Sequence, residues 1–231
     1  MFNQSMIRRR SGLALCFVLG VGLSACATSR SVISVDVPNR GPEAAGVPAK
    51  IIEVVDSRKF SVDPHNPSLP SIGNASEITD PKLTSRAVGR KRNGFGAALG
   101  DIVLPEGQTV PGLVRSAAQQ ALREKGYRIV EPDSPDYAAA APLALNIEQF
   151  WTWMRPGFSE LKFYFEASVT IKGSELVPGS ADVVTARAQL AAQTGMESNW
   201  KEVIQTGLDR LAPAIKDKIK PASSARPVPT S

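Results

Sequence analysis

Histidine occurs once and cysteine twice in 231 residues, and these shortages remove whole classes of chemistry. A metal site built on two or three histidines is excluded, because His65 is alone. It lies between Pro64 and Asn66 and reads as an exposed loop residue. No G-x-S-x-G elbow and no H-E-x-x-H helix occurs. Gly94, Gly96 and Gly100 match neither a G-x-G-x-x-G nor a Walker A spacing, so turn glycines are the better account. Glu160 and Glu166 fit a solvated strand face rather than an acid/base pair. These shortages predict no catalytic residue, no metal and no cofactor. Long apolar runs are also scarce. The one stretch of note, Gly12 to Leu23, is shorter than the roughly 20 residues that span a bilayer as a helix.

What surrounds that stretch gives it a meaning. Arg8, Arg9 and Arg10 precede it, and Leu23-Ser24-Ala25-Cys26 follows, an order that fits an export signal ending in small residues. Leu three positions before a cysteine resembles the lipobox of bacterial lipoproteins. That resemblance implies cleavage between Ala25 and Cys26 and acylation of Cys26. Two or more acyl chains, at about 0.8 kcal/mol per buried CH₂, hold a protein stably on a membrane. Ala27 is not the Asp associated with inner-membrane retention, which favours the periplasmic face of the outer membrane. Cys16 leaves with the signal, so the mature chain has no internal disulfide and packing must supply its stability.

Residues 1–25 contain three Arg and no acidic residue, which leaves 24 basic against 22 acidic residues in the mature chain. A balance this even argues against a nucleic-acid binder.

Residues 26–47, rich in Ser, Pro, Gly and Ala, read as the lipidated N-terminus and a flexible tether, with Ile33, Val35 and Val37 alternating as in a short edge strand. A domain over 48–220 follows, and 221–231 reads as a disordered tail. Ile51 to Val55 is the first strand, and Ser61 to Pro81 is a Pro-rich loop. Asn93-Gly94 signals a hairpin. Thr109 is the N-cap of a helix with Pro111 in its first turn, and Gly126 supplies its left-handed end. Val110, Leu113, Val114, Ala117, Ala118, Ala121 and Leu122 form its apolar stripe. After a strand at Tyr127 to Val130, three alternating strands over 143–154, 161–172 and 184–192 predict an antiparallel meander, with odd positions of the first buried from Leu143 through Trp153. The last helix is expected to open at Ser198 or Asn199 and to kink or divide at Pro213. The fold class is α+β: one antiparallel-rich sheet with two helices on one face.

This order, with Val54-Val55-Asp56-Ser57-Arg58, the run Val88 to Gly96, and the helix ending Leu122 to Tyr127, resembles the YajG-like family of bacterial outer-membrane lipoproteins. The resemblance implies location and architecture and no catalytic signature. The layout is also similar, at fold level, to auxiliary lipoproteins of lipid transporters and to the lipoprotein plug of the lipopolysaccharide translocon.

Two groups of residues are candidate contact sites. Arg86, Arg90, Lys91 and Arg92 on a hairpin tip would meet an anion, a phosphorylated lipid head or an acidic partner, the competing reading being an edge hairpin kept soluble by charge. Phe150, Trp151 and Trp153 make one strand end apolar on both sides. That end is either an apolar contact surface or is covered by a loop or the long insertion, and burial is preferred. The expected function is a non-enzymatic binding or assembly role in the envelope, with envelope proteins or lipids as partners. The alternative is an auxiliary part in lipid or lipopolysaccharide transport, which a deep apolar cavity would favour and a filled core would not.

Overall fold

The computed structural model describes residues 30–38 and 45–222. The expectations for the signal, Ala25, Cys26 and the tail from 223 onward lie outside these residues. In chain order the strands are β1 (Ser31–Val32), β2 (Pro48–Asp56), β3 (Ala87–Arg92), β4 (Ala98–Val103), β5 (Arg128–Ile129), β6 (Ala141–Pro156), β7 (Leu161–Lys172) and β8 (Ala181–Ala192). The helices are α1 (Pro81–Thr84), α2 (Val110–Glu124) and α3 (Glu197–Lys218). All eight strands form one mixed sheet.

The expected meander is formed by β6, β7 and β8, antiparallel throughout. On its other edge β6 serves two parallel partners in succession, β2 against its first half and β3 at Thr152. Gly89 is needed at that second junction, where a Cβ would stand 2.9 Å from the Thr152 carbonyl oxygen.

A β-bulge at Glu148 corrects the expected pattern of β6. Leu143, Leu145 and Ile147 face α2 and α3, but the extra residue reverses the alternation. Phe150 therefore joins the helix-side core, while Trp151 and Trp153 turn to the opposite face.

The helix α2 forms as its sequence dictates. Thr109 accepts a hydrogen bond from the Gly112 N–H at 3.2 Å, every member of the apolar stripe is buried, and Gly126 takes φ +89°. The start of α3 differs from expectation: it opens at Glu197, because the Asn199 carboxamide reaches back to accept from the Met196 N–H at 3.1 Å. Pro213 sits inside one unbroken helix. Gly207 lets α3 approach the sheet, since a Cβ there would meet the Phe165 ring at 1.9 Å. Phe163 packs edge-on against Trp200, as Phe150 does against Phe165, so aromatic rings fill the interface between helix and sheet.

Within the stretch expected to be a tether, an edge strand forms at Ser31–Val32, just before the alternating residues expected to make it. β1 pairs parallel with β4, Ile33 and Val35 are buried in the helix-side core, and Val37 is exposed. The Pro-rich segment is ordered against the other face of the sheet. Ile72 and Leu83 pack there with Ala87, Val103 and Trp151, flanked by Phe60 and Trp153. Among the described residues, no helix is long and apolar enough to cross a membrane.

Candidate functional site

Where β2 leaves β6 and β3 takes its place, the sheet has a gap with no strand to satisfy it, and Arg58 fills that gap. Its side chain is wholly buried. Nε and Nη2 donate to the two Asp56 carboxylate oxygens at 2.8 and 2.7 Å. Nη1 donates to the carbonyls of Ala87 and Phe150 at 2.7 and 3.1 Å, and Nη2 also donates to that of Thr84 at 2.8 Å. A guanidinium has five N–H groups in a fixed fork, and five acceptors meet it here. The role is architectural: one side chain ties β2, α1, β3 and β6 together. Sequence reasoning took Arg58 only as part of a strand end. The available signal was an Asp-x-Arg pair at the point where a strand gives way to a Pro-rich run.

Of the four basic residues expected at a hairpin tip as an anion or partner contact, Arg90 is buried and Arg86, Lys91 and Arg92 are partly buried, each with a donor committed inside the fold. The Arg86 Nε donates to the Leu104 carbonyl at 2.9 Å, and the Lys91 Nζ to the Ser31 Oγ at 2.9 Å. Arg90 is buried, donates to the Val62 carbonyl and lies 3.9 Å from Asp101. Burial pulls its pKa down while the Asp101 charge opposes the shift. Arg92 donates to Asp63 and to the Gly96 carbonyl at 3.1 and 2.9 Å. The hairpin does not lie at the sheet edge: β3 pairs with β4 and, at Gly89, with β6, and β4 pairs in turn with β1. The turn itself is longer than two residues: the Asn93 side chain accepts from the N–H groups of Phe95 and Ala97, and Gly96 carries the positive φ. What this turn offers to solvent is Phe95, fully exposed.

Phe150 and Trp151 are buried, as preferred, and the Pro-rich insertion is the cover over Trp151. The Trp151 Nε1 donates to the Pro67 carbonyl at 3.2 Å, with Phe60 edge-on to its ring. Trp153 is half-buried and stacks on Tyr164 at 5.5 Å between centroids.

Among the clefts on the described surface are two near these residues. One, of about 240 Å³, lies beside Trp153, Tyr164, Glu166 and Arg187. Glu166 bonds Arg187 there at 3.0 Å and raises its pKa, which agrees with a solvated strand face. The other, of about 440 Å³, lies at the end of the sheet between the Pro-rich segment and the β3–β4 turn, lined by Asp63, His65, Arg92, Phe95, Met154 and Arg155. His65 is exposed in that cleft. Among the described residues, no three His, Cys, Asp or Glu are placed to hold a metal ion.

No family model and no curated protein matches this chain. The solved structures similar to it include two. One, described as an uncharacterized protein, is 10% identical, with 83% of this chain and 97% of that one covered at a TM-score of 0.41. The other, a Xanthomonas campestris protein assigned to the family model DUF330, is 11% identical, with 81% and 91% covered at a TM-score of 0.40.

Proposed function

We propose that this chain is a YajG-like lipoprotein of the bacterial envelope, held by acylated Cys26 on the periplasmic face of the outer membrane, with a non-enzymatic binding or assembly role. The observation that carries the reading is the docking of β1. Arg30 donates to Asp101 and Glu77, and the Ser31 Oγ donates to Glu197, so the fold begins only four residues after Cys26. Four residues reach at most about 14 Å. Such a lipoprotein stands against the membrane surface instead of swinging on a long leash. The filled helix–sheet interface supports a binding role over carriage of acyl chains, because aromatic rings occupy the space that a chain would need.

Replacing Cys26 by Ser tests the anchor. The mature protein is expected to lose the mass of its acyl groups and to move from the membrane fraction to the soluble periplasm. Unchanged retention of the Cys26→Ser protein in membranes would overturn the reading.

A further inference from the structure

The paired strands define one continuous row of residues across the sheet: Ser31, Ile102, Gly89, Thr152, Phe165 and Ala188. β1 runs parallel to β4, which starts at the β3–β4 turn and leads away from it. At Ser31 the backbone, followed toward its N-terminus, therefore points back toward that turn. The β3–β4 turn, the β6–β7 turn and the β8–α3 turn all lie on the same side of the row. They place Phe95, Phe158 and Met196 together at one end of the molecule. Phe95 and Phe158 are fully exposed and Met196 is 63% exposed, and Arg155 is exposed beside the β6–β7 turn. Among the described residues, three large apolar side chains left mostly or fully exposed on adjacent turns call for an explanation that packing does not give.

The reach of the anchor supplies one. Cys26 is five residues before Ser31, which allows at most about 17 Å of extended chain. Phe95 lies seven residues from Ile102 in the row, and Phe158 six from Thr152. Counted along the strands alone, Ala98 and Pro156 are each four residues from the row, so at about 3.3 Å per residue the bases of both turns stand roughly 13 Å from it, within that reach. At the opposite end Lys172 lies seven residues from Phe165, about 23 Å the other way along the same strands. Acyl chains on Cys26 can enter a bilayer that touches the end bearing Phe95. Bringing that bilayer to the Lys172 end would require the chain to reverse and then outrun its length.

We propose that this end is a second, non-covalent membrane contact, in which Phe95 and Phe158 insert into the lipid surface at the level of the acyl anchor, with Met196 beside them and Arg155 at the headgroups. The contact rests on the lipoprotein reading for its source of lipid. It fixes the orientation of the domain: the β7–β8 end, with Val183, points away from the membrane. Aromatic rings favour this depth, about 5 to 10 Å into the boundary between headgroups and chains.

The test uses the mature lipoprotein reconstituted into phosphatidylcholine–phosphatidylglycerol vesicles, with and without bromine on the acyl chains, and the variants Phe95→Trp, Phe158→Trp and Val183→Trp. All three positions are solvent-exposed, so none of the changes disturbs packing. The emission added at 95 and at 158 is expected to fall about two-fold in brominated lipid, and that added at 183 to stay constant. No quenching at either turn, or equal quenching at 183, would overturn the proposal. The mass of Cys26 in the same sample separates the two ideas. Acylated protein with unquenched turns defeats the orientation alone. Unacylated protein that still shows quenching at 95 and 158 defeats the anchor and supports the contact.

Discussion

Beneath α2 and α3 the sheet is covered by long apolar stripes, with Trp200, Val203, Ile204, Leu208 and Leu211 of α3 meeting Phe163 and Phe165. On the opposite face the cover is a Pro-rich segment with few large apolar residues, and the contacts it makes are of another kind. Arg58 ties strand to strand, the Trp151 indole bonds the Pro67 carbonyl, and Gly73 donates to Asp101. Burial of apolar area is non-directional and tolerates rearrangement, whereas a guanidinium among carbonyls works in one geometry only. The first face should therefore resist substitutions that preserve volume, and the second should fail when a single donor is removed.

The largest expected effect is at Arg58. Arg58→Met keeps the length of the side chain and removes all five donors, leaving Asp56 without its partner and three carbonyls facing an apolar group. Breaking a buried ion pair from one side costs about 3 to 5 kcal/mol. At this chain length the loss lowers Tm by on the order of 10 °C. Arg58→Lys should recover little, since an ammonium cannot replace the fork. Thermal melts of both variants decide the point, and a Lys variant as stable as the wild type would show that charge alone holds the gap.

On the helix face the sharpest probe is Gly207→Ala. The new Cβ would lie within 2.7 Å of three atoms of the Phe165 ring, which is itself held edge-on by Phe150 at 4.9 Å. Overpacking of this kind costs about 1 to 3 kcal/mol, against which better helix propensity returns up to about 1. The net loss is expected to be about 1 to 2 kcal/mol in denaturant unfolding. It should be relieved in the Gly207→Ala, Phe165→Leu double variant, where the smaller side chain vacates the contact. Additive losses would mean that the two positions do not share this contact.

The contrast between the faces also explains what the sequence revealed. The α2 stripe, its Thr109 cap and the meander were legible because burial on one face writes a period into the chain: 3.6 for the helix, 2 for β7. The inward-facing alternation of Ile33 and Val35 was legible for the same reason, although the paired strand itself lies just before them at Ser31–Val32 and Val37 is exposed. The bulge at Glu148 was not, because both faces at the end of β6 are apolar, and Trp151 and Trp153 continue the odd-position pattern across the reversal. Nor was the inward course of Arg90 and Arg92, since a run of basic residues looks the same whether it meets water or backbone carbonyls. Arg58 escaped notice on similar grounds: its partners come from four separate segments, and local sequence carries no trace of three of them. Phe95 and Phe158 could be read as aromatics but not as exposed ones, because exposure at a turn depends on what the rest of the chain leaves uncovered.

The smallest expected effect on global stability is at Trp151, and it separates the two kinds of cover most cleanly. Trp151→Phe retains a ring against Phe60, Ile72 and Leu83 but deletes the N–H that holds the Pro67 carbonyl. One hydrogen bond is worth about 1 kcal/mol, so Tm should drop by only about 2 to 4 °C. The local consequence is larger than the global one. Residues 61–81 contain little regular structure, and their attachment to β6 includes Trp151 to Pro67 and the Gln149 side chain to the Ser68 carbonyl. Losing one of these lets the segment open without unfolding the sheet, and opening free energies differ between parts of one molecule. Limited proteolysis should then cut within 61–81 several-fold faster in Trp151→Phe, while amide exchange in β7 slows or quickens no more than the change in Tm requires. If cleavage and β7 exchange rise in proportion, the segment opens only with the whole domain. The Pro-rich cover would then be as cooperative a part of the fold as the helices on the other face.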